Sequence, residues 1–159
     1  MLSEWERDGV EKAGGGTHEG GTMEGDSGGS QRTNVARDRA YQFALRVTAF
    51  CRELRARDEF VLADQLLRSG TSIGANLEEA GAAYSRKDFS SKLAIASKEA
   101  RESAYWLRLV RDSDLCDREC ANSLIAAAEE LVRILTAGVK TAQSRSASQA
   151  RARIARADD

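Results

Sequence analysis

From residue 37 onward, apolar residues recur every three or four positions and nowhere alternate as a half-buried strand would. Arg37 to Arg55 carries Tyr41, Ala44, Leu45, Val47, Thr48, Cys51 and Leu54 at a spacing that fits a period of 3.6. The run Arg57-Asp58-Glu59 breaks it, and Asp58 or a neighbour is expected to cap a second helix over 59–82. That helix presents Phe60, Ala63, Leu66, Leu67, Gly70, Ile73 and Leu77 inward. Ser85 and Asp88 have the spacing of a capping box, so a third helix should start there. Its seam is Phe89, Leu93, Ala96, Ala100, Ser103, Leu107 and Val110, and a fourth helix repeats it with Ala121, Leu124, Ala128, Leu131 and Leu135. Short connections between long amphipathic helices imply antiparallel neighbours. The predicted fold is all-α, an up-down-up-down four-helix bundle.

Composition sets the expected limits of that bundle. Residues 1–36 hold nine of the thirteen glycines among Thr, Ser, Asp and Glu, and such a segment cannot recover the entropy of ordering its backbone. We therefore expect a disordered acidic arm at 1–36 and a bundle at 37–140. A Ser-, Ala- and Arg-rich tail at 141–159 is expected to be frayed or disordered, although the fourth helix can run past Lys140. The start, Met1 to Glu6, lacks the basic-then-apolar form of a secretory signal. Three cysteines, Cys51, Cys116 and Cys120, and no apolar run of membrane-spanning length favour a reduced, cytoplasmic setting.

The second helix holds the densest polar chemistry. Gly70 and Gly74, four residues apart, leave a strip of bare backbone where a neighbouring helix can approach. Beside it run Ser69, Ser72, Asn76 and Glu79. Ile95, Trp106, Leu109, Val61, Leu62 and Ile125 are surplus to a single inner face. Apolar residues outside a core are either scattered or part of an interface, and Trp106 points to an interface; the other reading has Trp106 close the edge of the core.

The stretches Gln65 to Ala80 (QLLRSGTSIGANLEEA), Ser85 to Leu93 (SRKDFSSKL) and Lys98 to Leu107 (KEARESAYWL) resemble the 23S ribosomal RNA intervening-sequence protein family. With the flanking helices the resemblance covers 37–140. It implies a small antiparallel bundle that assembles into a homopentamer, and it places the characteristic polar residues on Arg68, Ser72, Asn76, Glu79, Lys92, Glu99 and Glu102. A more distant resemblance is to the accessory variability protein of diversity-generating retroelements, which implies association with a reverse transcriptase and its template RNA. Many relatives have proline where this chain has Gly74.

Catalysis is weakly supported. Glu78, Glu79, Glu99 and Glu102 could serve a metal or acid–base chemistry, yet a carboxylate-bridged bundle site wants Glu-x-x-His pairs, and the only histidine is His18 in the arm. Cys116 and Cys120 lack third and fourth zinc ligands in the folded part. A serine activated by Lys92 is conceivable, but no spacing requires it. The expectation is no enzyme, no cofactor and no metal. Arg68, Asn76, Glu79 and Glu99 instead suit a buried or interfacial polar network that fixes subunit pairing.

Charge brings in a second class of partner. The formal net charge is −1, but residues 37–57 carry six arginines against two acids, and 140–156 carry five cations and no acid. Arg39, Arg46, Arg52, Arg55 and Arg57, with Arg145, Arg151, Arg153 and Arg156, are therefore candidates for contact with RNA or DNA. Two readings follow: a homo-oligomeric scaffold or adaptor that binds nucleic acid, or a self-assembling protein–protein module that does not.

Overall fold

The computed structural model describes residues 27–155, which form four helices: α1 (Ser27–Arg55), α2 (Phe60–Gly81), α3 (Arg86–Asp112) and α4 (Arg118–Ala155). Each helix packs on its sequence neighbours and α1 meets α4, with no diagonal pair approaching within 8 Å between Cα atoms among the described residues, so the antiparallel up-down-up-down bundle is as the periodicity implies. No helix among the described residues is long and apolar enough to cross a membrane.

The core is a continuous stack. α3 contributes Leu93, Ala96, Ala100, Leu107 and Val110, and α4 contributes Ala121, Leu124, Ala128, Leu131 and Leu135. Ile125, expected as surplus, is also buried and belongs to this core. α1 is rotated from its expected setting. Its inner face is Ala36, Ala40, Phe43, Val47, Phe50, Cys51 and Leu54, whereas Tyr41 and Leu45 are 64% and 50% exposed. Two apolar stripes overlap on this helix, and the one holding both phenylalanines removes more area from water. Phe60, expected inside α2, is exposed as well.

The helix ends differ from expectation in an instructive way. Asp58 (φ 64°) and Asp114 (φ 55°) adopt the left-handed conformation. The amide of Glu59 donates to Leu54 O (3.0 Å) and that of Asp58 to Arg55 O (3.1 Å); Leu115 and Asp114 repeat this on Val110 (3.2 Å) and Arg111 (3.2 Å). Both are Schellman ends with aspartate at the place glycine usually takes. Asp58 thus terminates α1 and does not cap α2, whose N-cap Glu59 makes no side-chain cap. Ser85 does cap α3, accepting from the Asp88 amide at 3.1 Å. Asp117 does the same for α4, accepting from the Cys120 amide at 2.7 Å.

Two boundaries are corrected. α1 begins at Ser27, so 27–36 is helix and not part of a disordered arm; Ala36, 3% exposed, anchors this extension. α4 runs unbroken through the proposed tail to Ala155. Ala, Arg and Gln favour helix. Thr141, Ser144 and Ser148 satisfy their hydroxyls on the helix's own carbonyls at 3.0, 3.0 and 3.1 Å. Residues 1–26 and 156–159, with the rest of the predicted arm and tail, lie outside the described residues.

The glycines separate in role. A Cβ on Gly70 would stand 2.9 Å from Val47 Cγ1, so this glycine is where α1 and α2 approach each other. Among the described residues, nothing outside its own stretch of helix lies within 4 Å of a Cβ on Gly74.

Candidate functional site

The α2–α3 seam has a dry floor and a polar rim. On the floor, Ser69 and Ser103 are fully buried with their hydroxyls 2.9 Å apart. Each also reaches a carbonyl of its own helix, Leu66 O at 3.2 Å and Glu99 O at 2.9 Å. Small hydroxyl residues at this crossing let the helices approach while every polar atom keeps a partner.

Above that floor, all eight residues expected to serve assembly share one face: Arg68, Ser72, Asn76 and Glu79 on α2, and Lys92, Glu99, Glu102 and Trp106 on α3. They are grouped as pairs rather than as one network. At one end the Arg68 guanidinium meets the Glu102 carboxylate and Gln65 Oε1 (3.1 Å), while Trp106 Nε1 donates to Glu102 at 3.2 Å. Tyr105 abuts the Trp106 ring edge-on, centroids 4.9 Å apart. At the other end the Lys92 ammonium meets Glu79, and this hydrogen bond with the carboxylate's charge raises the lysine's pKa. Between them, Asn76 donates to Ser72 O of its own helix at 2.9 Å. Glu99 stands out: its Oε2 is buried and has no hydrogen-bond partner among the described residues. Leaving a buried acceptor unmet costs about 1–3 kcal/mol.

Apolar groups frame this row. Trp106 and Ile95 are half-buried, Leu109 is 36% exposed, and Val61 across the seam is 73% exposed.

The α1 arginines are dispersed. Arg39 pairs with Glu130 and Arg46 donates to Ser123 Oγ (2.8 Å), both on α4. Arg55 pairs with Asp64 on α2, and Arg57 donates to Leu115 O (3.2 Å) at the α3–α4 turn. Arg52 projects to solvent. Arg39 and Arg46 line a shallow groove floored by Phe43 and Leu131. Of the C-terminal candidates, Arg145, Arg151 and Arg153 lie within α4 and Arg156 falls beyond the described residues.

One polar group that the sequence reading passed over is Arg101. It donates to Ser97 Oγ (2.6 Å) and Ser97 O (3.2 Å), and across the seam to Thr136 Oγ1 (3.2 Å) on α4. Arg133 and Lys140 lie three residues before and four after Thr136 on α4, and both are exposed. The available signal was the acid-free sequence from Leu131 to Ala157.

Thiol chemistry is muted. Burial pushes the Cys51 pKa up to about 11 and is the main cause of the upward shifts at Cys116 and Cys120. Protonated thiols are poor nucleophiles and poor metal ligands. No group of three His, Cys, Asp or Glu among the described residues could hold a metal ion.

Comparison with known proteins fits this geometry. A crystal structure of a protein of unknown function from the S23 ribosomal protein family of Bacteroides thetaiotaomicron superposes with a TM-score of 0.66 at 42% identity. The match covers 69% of this chain and 98% of that one. No curated protein matches significantly. The family model of the 23S rRNA-intervening sequence protein matches residues 32–137. With the bundle, the family model and the structural relative in agreement, the chain belongs to the 23S rRNA-intervening sequence protein family.

Proposed function

We propose that this chain is a non-enzymatic scaffold that assembles with copies of itself through the α2–α3 face and holds nucleic acid on its cationic surfaces in the cytoplasm. The observation that carries the assembly is Glu99. Its orphaned Oε2 lies between two completed ion pairs, on a face whose apolar rim includes Trp106, Ile95, Leu109 and Val61. A neighbouring copy that covers this face buries the rim and supplies a donor to the carboxylate once the Glu99 side chain turns outward. A homopentamer is the assembly the family resemblance implies, and a protein partner such as a reverse transcriptase is a client such a scaffold would hold.

A second reading, a protein–protein module without nucleic acid, draws on Tyr41 and Leu45, exposed together on the outer side of α1.

Light scattering coupled to size exclusion tests the assembly. Glu99→Ala and Trp106→Ala should dissociate the oligomer while helicity by circular dichroism is kept. Loss of helicity in step with dissociation would move Trp106 into the core and remove the face from the account.

A further inference from the structure

We infer that the α3–α4 face, not the α1 arginines, is the surface on which this protein binds the phosphate backbone of a nucleic acid. The inference rests on the nucleic-acid part of the reading above and assigns that part a place.

The α3–α4 seam divides into two halves of different electrostatic character. Toward the α3–α4 turn its cations are matched: Arg108 faces Glu129 at 3.9 Å, and Arg111 pairs with Asp112 (2.8 Å) and donates to Asn122 (3.0 Å). Toward the other end they are not. Arg86, Lys87, Lys98 and Arg101 on α3, with Arg133 and Lys140 on α4, are all exposed, and none forms an ion pair among the described residues.

The acids of this part of α3 are turned elsewhere. Asp88 and Glu99 fall four and seven residues from Lys92, which reaches Glu79 on α2, so they share the α2 side of the helix. The sequence holds no acid from Leu131 to Ala157, while Arg145, Arg151, Arg153 and Arg156 follow Lys140 in it.

The strip is linear and equipped with hydroxyls. Arg86, Ser90, Ser97 and Arg101 follow helical spacing on α3, as do Arg133, Thr136 and Lys140 on α4. Ser97 and Thr136 lie 3.2 Å apart and, together with the Ser97 carbonyl, hold the Arg101 guanidinium across the seam. From Arg86 to Arg101 the strip is about 22 Å long, at 1.5 Å per residue, which is six to seven nucleotide steps at roughly 3.4 Å per strand. No large apolar side chain is exposed between Arg86 and Arg101 or between Arg133 and Lys140, so the strip has nothing to insert into a bilayer. A row of unmatched cations beside fixed hydroxyl donors complements a linear polyphosphate.

Anisotropy of a labelled 20-nucleotide RNA and a 20-base-pair DNA, titrated with full-length protein at 50 and 200 mM salt, tests the assignment. If six phosphates are contacted, wild-type affinity should fall on the order of 10³-fold across that range. Arg133→Gln with Lys140→Gln, which form no ion pair among the described residues, should weaken binding at least tenfold at 50 mM salt and reduce the salt slope by about two. Adding Arg101→Gln should deepen the loss, and circular dichroism confirms that each variant remains helical. The charge-matched pair Arg39→Gln with Arg55→Gln should stay within threefold of wild type. Greater loss in the α1 pair than in the α4 pair overturns the strip while leaving nucleic-acid binding intact. No binding by the wild type at 50 mM salt defeats the nucleic-acid reading itself. Binding to phosphatidylserine vesicles in place of either nucleic acid overturns the chosen ligand.

Discussion

Substituting alanine at Gly70 and at Gly74 separates close helix packing from simple helix propensity. Both glycines sit in the interior of α2, where alanine is favoured by about 1 kcal/mol. At Gly74 nothing outside its own stretch of helix lies within 4 Å of the added methyl among the described residues, so Gly74→Ala should gain most of that amount. At Gly70 the methyl would meet Val47 Cγ1 at 2.9 Å and its Cβ and Cγ2 at 3.3 Å. Val47 is fully buried and stiff at χ1, so it cannot swing aside. Overpacking of this kind costs about 1–3 kcal/mol. Propensity cancels between the two variants, so their stabilities should differ by the overpacking penalty alone. Urea unfolding at one fixed protomer concentration measures the difference. Val47→Ala should cost less in the Gly70→Ala background than in the wild type, a favourable coupling where independent sites would simply add. Equal midpoints for the two alanine variants would refute close α1–α2 packing at Gly70.

Asp58→Gly should stabilise the protein by roughly 1 kcal/mol, because glycine takes the left-handed conformation without the Cβ clash; unchanged urea midpoints would show that the aspartate is held there by something else. For Cys51, burial raises the thiol pKa from the ordinary 9.0 to about 11, so the protonated thiol is favoured by folding. Its contribution is complete below pH 9 and is lost as pH rises from 9 to 11, and Cys51→Ala should flatten stability over that window in pH-dependent denaturation. A thiol-reactive chromophore at pH 8 should label Cys120 first, since it is exposed, and Cys51 only on unfolding; early labelling of Cys51 would contradict its burial.

Much of the fold is readable because the seams of α3 and α4 are unambiguous: Leu93, Ala96, Ala100, Leu107 and Val110 admit only one inner face. α1 is harder, since Tyr41 and Leu45 compete with Phe43 and Phe50, and only packing against α2 and α4 decides between them. The Schellman turns were invisible because aspartate stands where glycine is the usual signal. The extra helix at 27–36 was hidden by glycine-rich composition upstream, whereas periodicity reaches Ala36. For the site, helical spacing alone places Arg68, Ser72, Asn76 and Glu79 on one stripe. It cannot say that Arg68 takes Glu102 or that Glu99 is left without a donor, because those pairings depend on the register between two helices. The cationic strip joins segments more than thirty residues apart, each ordinary by itself.

Sedimentation equilibrium of the full-length protein over a hundredfold range of concentration tests self-assembly most directly. Assembly through the α2–α3 face requires a single oligomer with a molar mass several times the 17.3 kDa protomer at micromolar concentration. Glu99→Ala should shift that distribution toward the protomer. A wild-type protein that sediments as a monomer throughout would contradict the scaffold account.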